Sequence, residues 1–283
     1  MAAEAPQRRA SLRSTRGRTR LAAAWRRFTQ SRASGVILLL VLLVLWQVSA
    51  EFWIGSPNWP PLTAVARSLI AGLGSGELPG IFSSSLGLML AGYAIGVACA
   101  IGLGLLMASV RLTRIALEPT VELLRPIPVP AIVPPLILLL GVDDALKIFI
   151  VAFSAFFPVL VNTIAGVRAV DPVARDVART LRVGSLRTVT RVVVPASLPY
   201  ILAGMRISLA LALIVTVVAE MIAGSTGIGY YLMTMQYAMR ASDMYAAVVL
   251  LALTGYALNR GFLAIEHRLL HWYHSAGAVE EPL

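Results

Sequence analysis

The side chains able to do chemistry are few, and they fall into four groups. His267, His271 and His274 recur at i, i+4 and i, i+7. That spacing can bring three imidazoles onto one helical face as metal ligands, although polar residues at a membrane interface explain them more simply. Arg125 stands in an apolar run beside Pro126, Pro128 and Pro130, a few residues after Glu118 and Glu122. Glu220 closes another apolar run and precedes Gly224, Gly227 and Gly229. Residues 171–199 form a polar, arginine-rich island between apolar segments, reading DPVARDVARTLRVGSLRTVTRVVVPASLP.

Catalysis has little to work with. There is no G-x-x-x-x-G-K-[ST] phosphate loop, so the chain lacks the usual equipment for ATP hydrolysis. No Ser/His/Asp or Cys/His set is evident. Cys99 is the only cysteine and lies in an apolar run, which rules out a disulfide within the chain and suggests no metal site. The expectation is a non-catalytic protein without a cofactor of its own.

The elements that hold these groups are set by composition. Of the 283 residues 58% are hydrophobic and 13% charged, against about 25% charged in ordinary globular domains. Several apolar runs reach the ~20 residues that cross a bilayer, so the fold class is all-α and polytopic. Six spans are expected, over residues 33–50, 81–110, 115–140, 145–167, 198–222 and 245–265, with a short interfacial helix at 63–73. Pro57, Pro60 and Pro61 mark an external stretch, and Trp46 and Trp53 suit an interface. By domain, 1–33 is a disordered basic tail, 34–77 the first span with an external segment, 78–268 the main transmembrane domain, and 269–283 a C-terminal tail.

The net charge of +10 is almost all arginine and sorts by loop. Nine arginines fall within residues 1–33, and more lie around Arg111 and Arg114, through residues 168–191, and at Arg260 and Arg268, while alternate loops are nearly neutral. This is the positive-inside pattern. It places both termini and the island in the cytoplasm, and it favours a membrane over nucleic acid as the reason for the charge.

Three segments stand out. In the third span the prolines remove backbone donors, so the helix must kink or unwind. Freed carbonyls survive in lipid only when buried in protein or lining a wet cavity. Arg125 then either lines an electropositive cavity, or snorkels to the interface or pairs with Glu118 or Glu122. In the second span Gly92, Gly96, Ala100 and Gly104 make a small-residue stripe for another helix, inside the subunit or between subunits. Glu220 either pairs structurally or faces a polar cavity, and Gly224, Gly227 and Gly229 mark an external turn, either a gate or a plain surface loop.

In the island Asp171 can cap a helix and Pro172 fits its first position. Val173, Val177 and Leu181 then share one face, and Arg175, Arg179 and Arg182 another, until Gly184 and Ser185 break the helix. Such an amphipathic helix offers another protein a handle, or it lies on lipid headgroups.

The island resembles the EAA loop of the membrane subunits of bacterial ABC importers. Asp176, Val177 and Ala178 stand for Glu-Ala-Ala, Arg182 occupies the motif's Gly, and Val192, Val194 and Pro195 close it at the right spacing. The departure at Arg182 bears on the turn geometry and not on the register; Gly184 comes two residues late. The runs LRPIP and PLILLLG, AFFPVLVNTIAGVRAVDP, and AEMIA followed by GIG are similar to the nitrate/sulfonate/taurine/bicarbonate branch.

The resemblance implies a type I importer transmembrane fold in a bacterial inner membrane, working as a homodimer. Two separate ATPase subunits would bind ATP and Mg, and an extracytoplasmic solute-binding protein would deliver a small anion. Arg175, Asp176, Val177, Ala178, Arg179, Arg182, Gly184 and Pro195 would couple to the ATPase, and Arg125, Pro126, Pro128, Pro130 and Glu220 would belong to the pathway. Relatives of that kind also import vitamin precursors or aromatic acids. A transport-free scaffold would not need the broken span, and a secondary transporter would show paired breaks.

Overall fold

A computed structural model describes residues 32–271. The basic tail foreseen for 1–33, the end of the C-terminal tail and His274 fall outside them, apart from the last two residues of the former. The chain divides into two compact units, residues 1–67 and 68–283.

In the first unit, α1 (Arg32–Val48) continues into a π-helical turn (Ser49–Ile54). Its residues from Val36 to Leu42, with Val44 and Leu45, are exposed, on a helical stretch long and apolar enough to cross a membrane. The proline-rich stretch folds back on the end of α1. Trp46 donates from its indole to the Pro60 carbonyl at 3.1 Å, Trp59 donates to Ser49 Oγ at 3.1 Å, and the two rings lie 5.6 Å apart. The short helix expected near 63–73 is α2 (Leu62–Gly74).

The second unit is built on α3 (Glu77–Ser109), α6 (Asp144–Arg168) and α9 (Val194–Ala223). The small-residue stripe of α3 packs within the subunit, against α6. A Cβ on Gly96 would sit 2.4 Å from the Ala152 carbonyl oxygen, and one on Gly92 would sit 2.7 Å from that of Ile148. Only hydrogen at these positions lets the two backbones approach so closely. Tyr93 on α3 donates its hydroxyl to the Met205 carbonyl of α9 at 3.0 Å, tying the third helix in.

The third span, expected to kink or unwind, is unwound into two helices. These are α4 (Arg111–Leu124) and α5 (Val129–Leu140), bent 100° from each other. Pro126, Pro128 and Pro130 remove three donors within five residues, so no continuous ladder can cross the junction. Among the described residues five helices are long and apolar enough to cross a membrane, or six if this bent pair is one span.

After α6 come α7 (Pro172–Thr180), α8 (Ser185–Thr188) and a π-helical turn (Val189–Val193), which joins α8 to α9 without a gap. The widened turn precedes Pro195, whose ring would clash with the carbonyl four residues earlier and whose nitrogen cannot donate to it. The stretch after Glu220 also departs from expectation. It is not a turn alone but leads into α10 (Ile228–Tyr237), followed by α11 (Ala241–Leu269). Ile228, Tyr231, Leu232 and Met235 of α10 are buried in one cluster with Leu78, Phe82 and Ala247.

Candidate coupling helix and translocation cavity

Asp171 caps α7 as its sequence foretells, with Oδ1 accepting from the Val173 amide at 2.9 Å and Pro172 in the first turn. Ala178 is buried and faces the bundle. The apolar stripe of the helix is largely exposed among the described residues. Val173, Val177 and Leu181 are 65%, 52% and 70% exposed, and Leu186 in the next helix is exposed as well. A contiguous exposed apolar stripe of this kind marks a surface that another protein or lipid covers.

The arginines have different surroundings. Arg175 is half-buried, with Nη2 donating to the Val167 carbonyl at the end of α6. Arg179 pairs with Asp176 at 3.0 Å, and both are largely exposed, so the pair adds little to stability. Arg182 carries the turn. It has φ +52°, its amide donates to the Arg179 carbonyl at 2.9 Å, and the Val183 amide reaches back to Ala178 at 2.9 Å. These two bonds are a Schellman cap with Arg182 in the left-handed position that glycine usually takes. Gly184, expected to break the helix, has φ −59° and merely precedes α8, of which Ser185 is the first residue.

At the other break, Arg125 lines a cavity of about 360 Å³ together with Phe153, Ser154, Phe157, Pro158 and Asn162 of α6 and residues of α5 and α9. Of the flanking prolines, Pro126 and Pro128 form the break itself and Pro130 opens α5. Phe153 and Phe157 meet edge to face at 5.0 Å. Pro158 removes the helical bond to the Ser154 carbonyl, and the Asn162 side chain donates to the Pro158 carbonyl at 2.8 Å. Arg125 also borders a second cavity of about 250 Å³ with Glu118, Glu122 and Arg168. Glu118 pairs there with Arg168 at 3.6 Å, and among the described residues Arg125 makes no ion pair. The α6 residues were not singled out in the sequence. Their signal was the i, i+4, i+8 run Ser154, Pro158, Asn162, a polar stripe interrupted by a proline inside an apolar span.

Glu220 is elsewhere. It is fully buried near the far end of α9, and its Oε2 accepts from the Gly229 amide at 3.0 Å. Ser85 Oγ accepts from the Ile228 amide at 2.9 Å. The two side chains satisfy the first amides of α10, and Glu220 lines none of the cavities described. Among the described residues no group of His, Cys, Asp or Glu could hold a metal ion.

Residues 100–270 match the family described as "Binding-protein-dependent transport system inner membrane component". The putative aliphatic sulfonates transport permease SsuC of Bacillus subtilis (strain 168) is 33% identical over 245 residues, covering 85% of this chain and 88% of the relative. The taurine transport system permease TauC of Escherichia coli (strain K12) is 28% identical over 241 residues, covering 83% and 88%. In fold, the chain is similar to one in inward-facing structures of the MetNI methionine ABC transporter. The TM-score is 0.60 at 17% identity, over 68% of this chain and 95% of that one.

Proposed function

This chain belongs to the family of binding-protein-dependent transport system inner membrane components, and from that premise we propose how its parts share the work of import. It is a multi-pass permease subunit of an ABC importer in the sulfonate and taurine branch. Its work is mechanical: it forms a path and moves, while the chemistry of ATP belongs to a separate subunit that binds ATP and Mg.

α7 is the handle for that ATPase. The observation that carries this reading is the capped helix whose apolar stripe Val173, Val177 and Leu181 is exposed, beside Arg175 and Arg179. Buried aromatic or aliphatic anchors ringed by charge are what a docking groove recognises. The arginine distribution supports a cytoplasmic placement of both termini and α7. Two copies of the chain enclose the pathway, and an extracytoplasmic binding protein delivers the solute.

The solute has an apolar body and an anionic head. The cavity beside the α4–α5 break is walled by Phe153, Phe157 and aliphatic side chains, with Arg125 its one charge and Asn162 a further amide. A bare inorganic anion would leave those rings unused. An aliphatic sulfonate uses both kinds of contact, and so does an aromatic acid, which the paired phenyl rings favour as the second reading. The test is the ATPase rate of the complex reconstituted in liposomes with its binding protein. A small organic sulfonate should stimulate it. Stimulation by a cationic or uncharged solute alone would overturn the reading.

A further inference from the structure

We propose that a cavity at the foot of α7 binds a phosphate-type oxyanion, with Arg175 as its principal contact. The cavity is about 280 Å³ and lies where the end of α3, the end of α6, α7 and the start of α8 meet. Arg175, Arg179, Ser109, Ser185 and Thr188 supply its polar lining, and among the described residues no acidic one lines it.

Several of the donors there are unused. One end of the Arg175 guanidinium is held by the Val167 carbonyl, while its Nε is buried without a hydrogen-bond partner. An unpaired guanidinium nitrogen taken from water costs free energy unless a ligand meets it. The Ser109 and Ser185 hydroxyls make no hydrogen bond among the described residues. Thr188 reaches only the Gly184 and Val183 carbonyls, at 3.3 and 3.4 Å. Ser185 also opens the 39-residue helical stretch that ends at Ala223, and its first amides carry no side-chain cap. A tetrahedral oxyanion takes several donors at once and suits a guanidinium. Its charge would be met by Arg175 and by Arg179, whose pairing with Asp176 at 3.0 Å is largely exposed.

The same chemistry is offered by two sources: free inorganic phosphate, and the headgroup of an anionic lipid at the membrane surface. Either would bridge α7 to α6 and α8 and so stiffen the handle against the bundle it moves. This holds whatever solute the permease carries.

The test uses the full chain in nanodiscs, with unfolding followed by heating. In discs of phosphatidylcholine, inorganic phosphate at ten times its Kd should raise the unfolding midpoint by about 3–5 °C relative to chloride at equal ionic strength. In discs containing phosphatidylglycerol the midpoint should already be raised if the lipid is the occupant, and added phosphate should then do nothing further. Arg175→Gln should abolish either response. Ser185→Asp places a carboxylate in the cavity at a helix start, where a negative charge is tolerated, and should make the midpoint insensitive to both anions. If Arg175→Gln fails to fold, Ser185→Asp still decides. A midpoint that neither anion moves, or a rise that survives Ser185→Asp undiminished, overturns the proposal.

Discussion

The carboxylate of Glu220 accepts a hydrogen bond from the Gly229 amide at 3.0 Å in a site with no solvent exposure. The contact pins the start of α10 to the end of α9. Gly227 makes it possible: its φ is +101°, and a Cβ there would sit 2.3 Å from the Glu220 carboxyl carbon. Gly227→Ala should therefore both strain the backbone and displace the acid. Glu220→Ala should strand the Gly229 amide at a cost of about 1–3 kcal/mol. Both variants should unfold at lower temperature in detergent, while Glu220→Gln, which keeps an acceptor oxygen, should lose less. Equal loss in Gln and Ala would show that the charge and not the cap is what matters.

Arg182 occupies a left-handed turn position, at φ +52°. That conformation costs an L-residue about 1–2 kcal/mol, and nothing in the structure shows its side chain recovering it. Arg182→Gly should stabilise the island by about 1 kcal/mol, and Arg182→Val should destabilise it. The measurement is proteolytic cleavage at residues 180–186 in the folded chain, slower for Gly and faster for Val than for the parent.

How much of this was readable beforehand varies with how local the cause is. The Asp171 cap, the Pro172 start and the Val173/Val177/Leu181 stripe depend on neighbours four residues away, and they appear as read. The turn at Arg182 was less legible, because the left-handed residue is not the nearby Gly184. α10 was missed because burial on several sides erases periodicity: Ile228, Tyr231, Leu232 and Met235 meet helices from distant parts of the chain. The prolines told that the third span breaks, but a 100° bend depends on where α5 can pack. The cavity was only half legible. Arg125 was visible as a charge in an apolar run, whereas Asn162 and Phe153 gained meaning only once α6 lay beside it.

The Gly96 backbone touches α6 at Ala152, where a Cβ would approach the carbonyl oxygen to 2.4 Å. Gly96→Ala should push the helices apart at a cost of about 1–3 kcal/mol. Gly87 on the same helix has open space around it, so Gly87→Ala should cost nothing measurable and serves as the control in the same thermal assay.

Docking of the ATPase should depend on the exposed stripe. Val177→Asp puts a charge in the middle of it at a side chain that is exposed and outside the buried core, so the bundle should stay folded. Loss of an anchor worth about 2 kcal/mol weakens binding roughly 30-fold. The expected result is a chain that elutes as a folded permease but no longer retains the ATPase on co-purification. Reversal of charge at Arg175 and Arg179 should weaken retention too. Undiminished retention of the ATPase by Val177→Asp would remove the stripe from the interface.

Arg125 is exposed, unpaired among the described residues, and shared between an apolar cavity and one bearing Glu118 and Glu122. Its charge is thus available to a solute on one side, while on the other Glu118 pairs with Arg168 instead. Arg125→Gln keeps a donor but removes the charge, so an anionic head would lose a charge-assisted bond worth about 1.5–3 kcal/mol. Solute-stimulated ATPase should fall by about 10-fold or more, while the basal rate without solute and the retention of the ATPase stay as they were. Arg125→Lys, which restores charge without the planar fork, should recover part of the stimulation. If Gln and Lys behave alike, shape and not charge is what the residue contributes, and the anionic solute loses its main support.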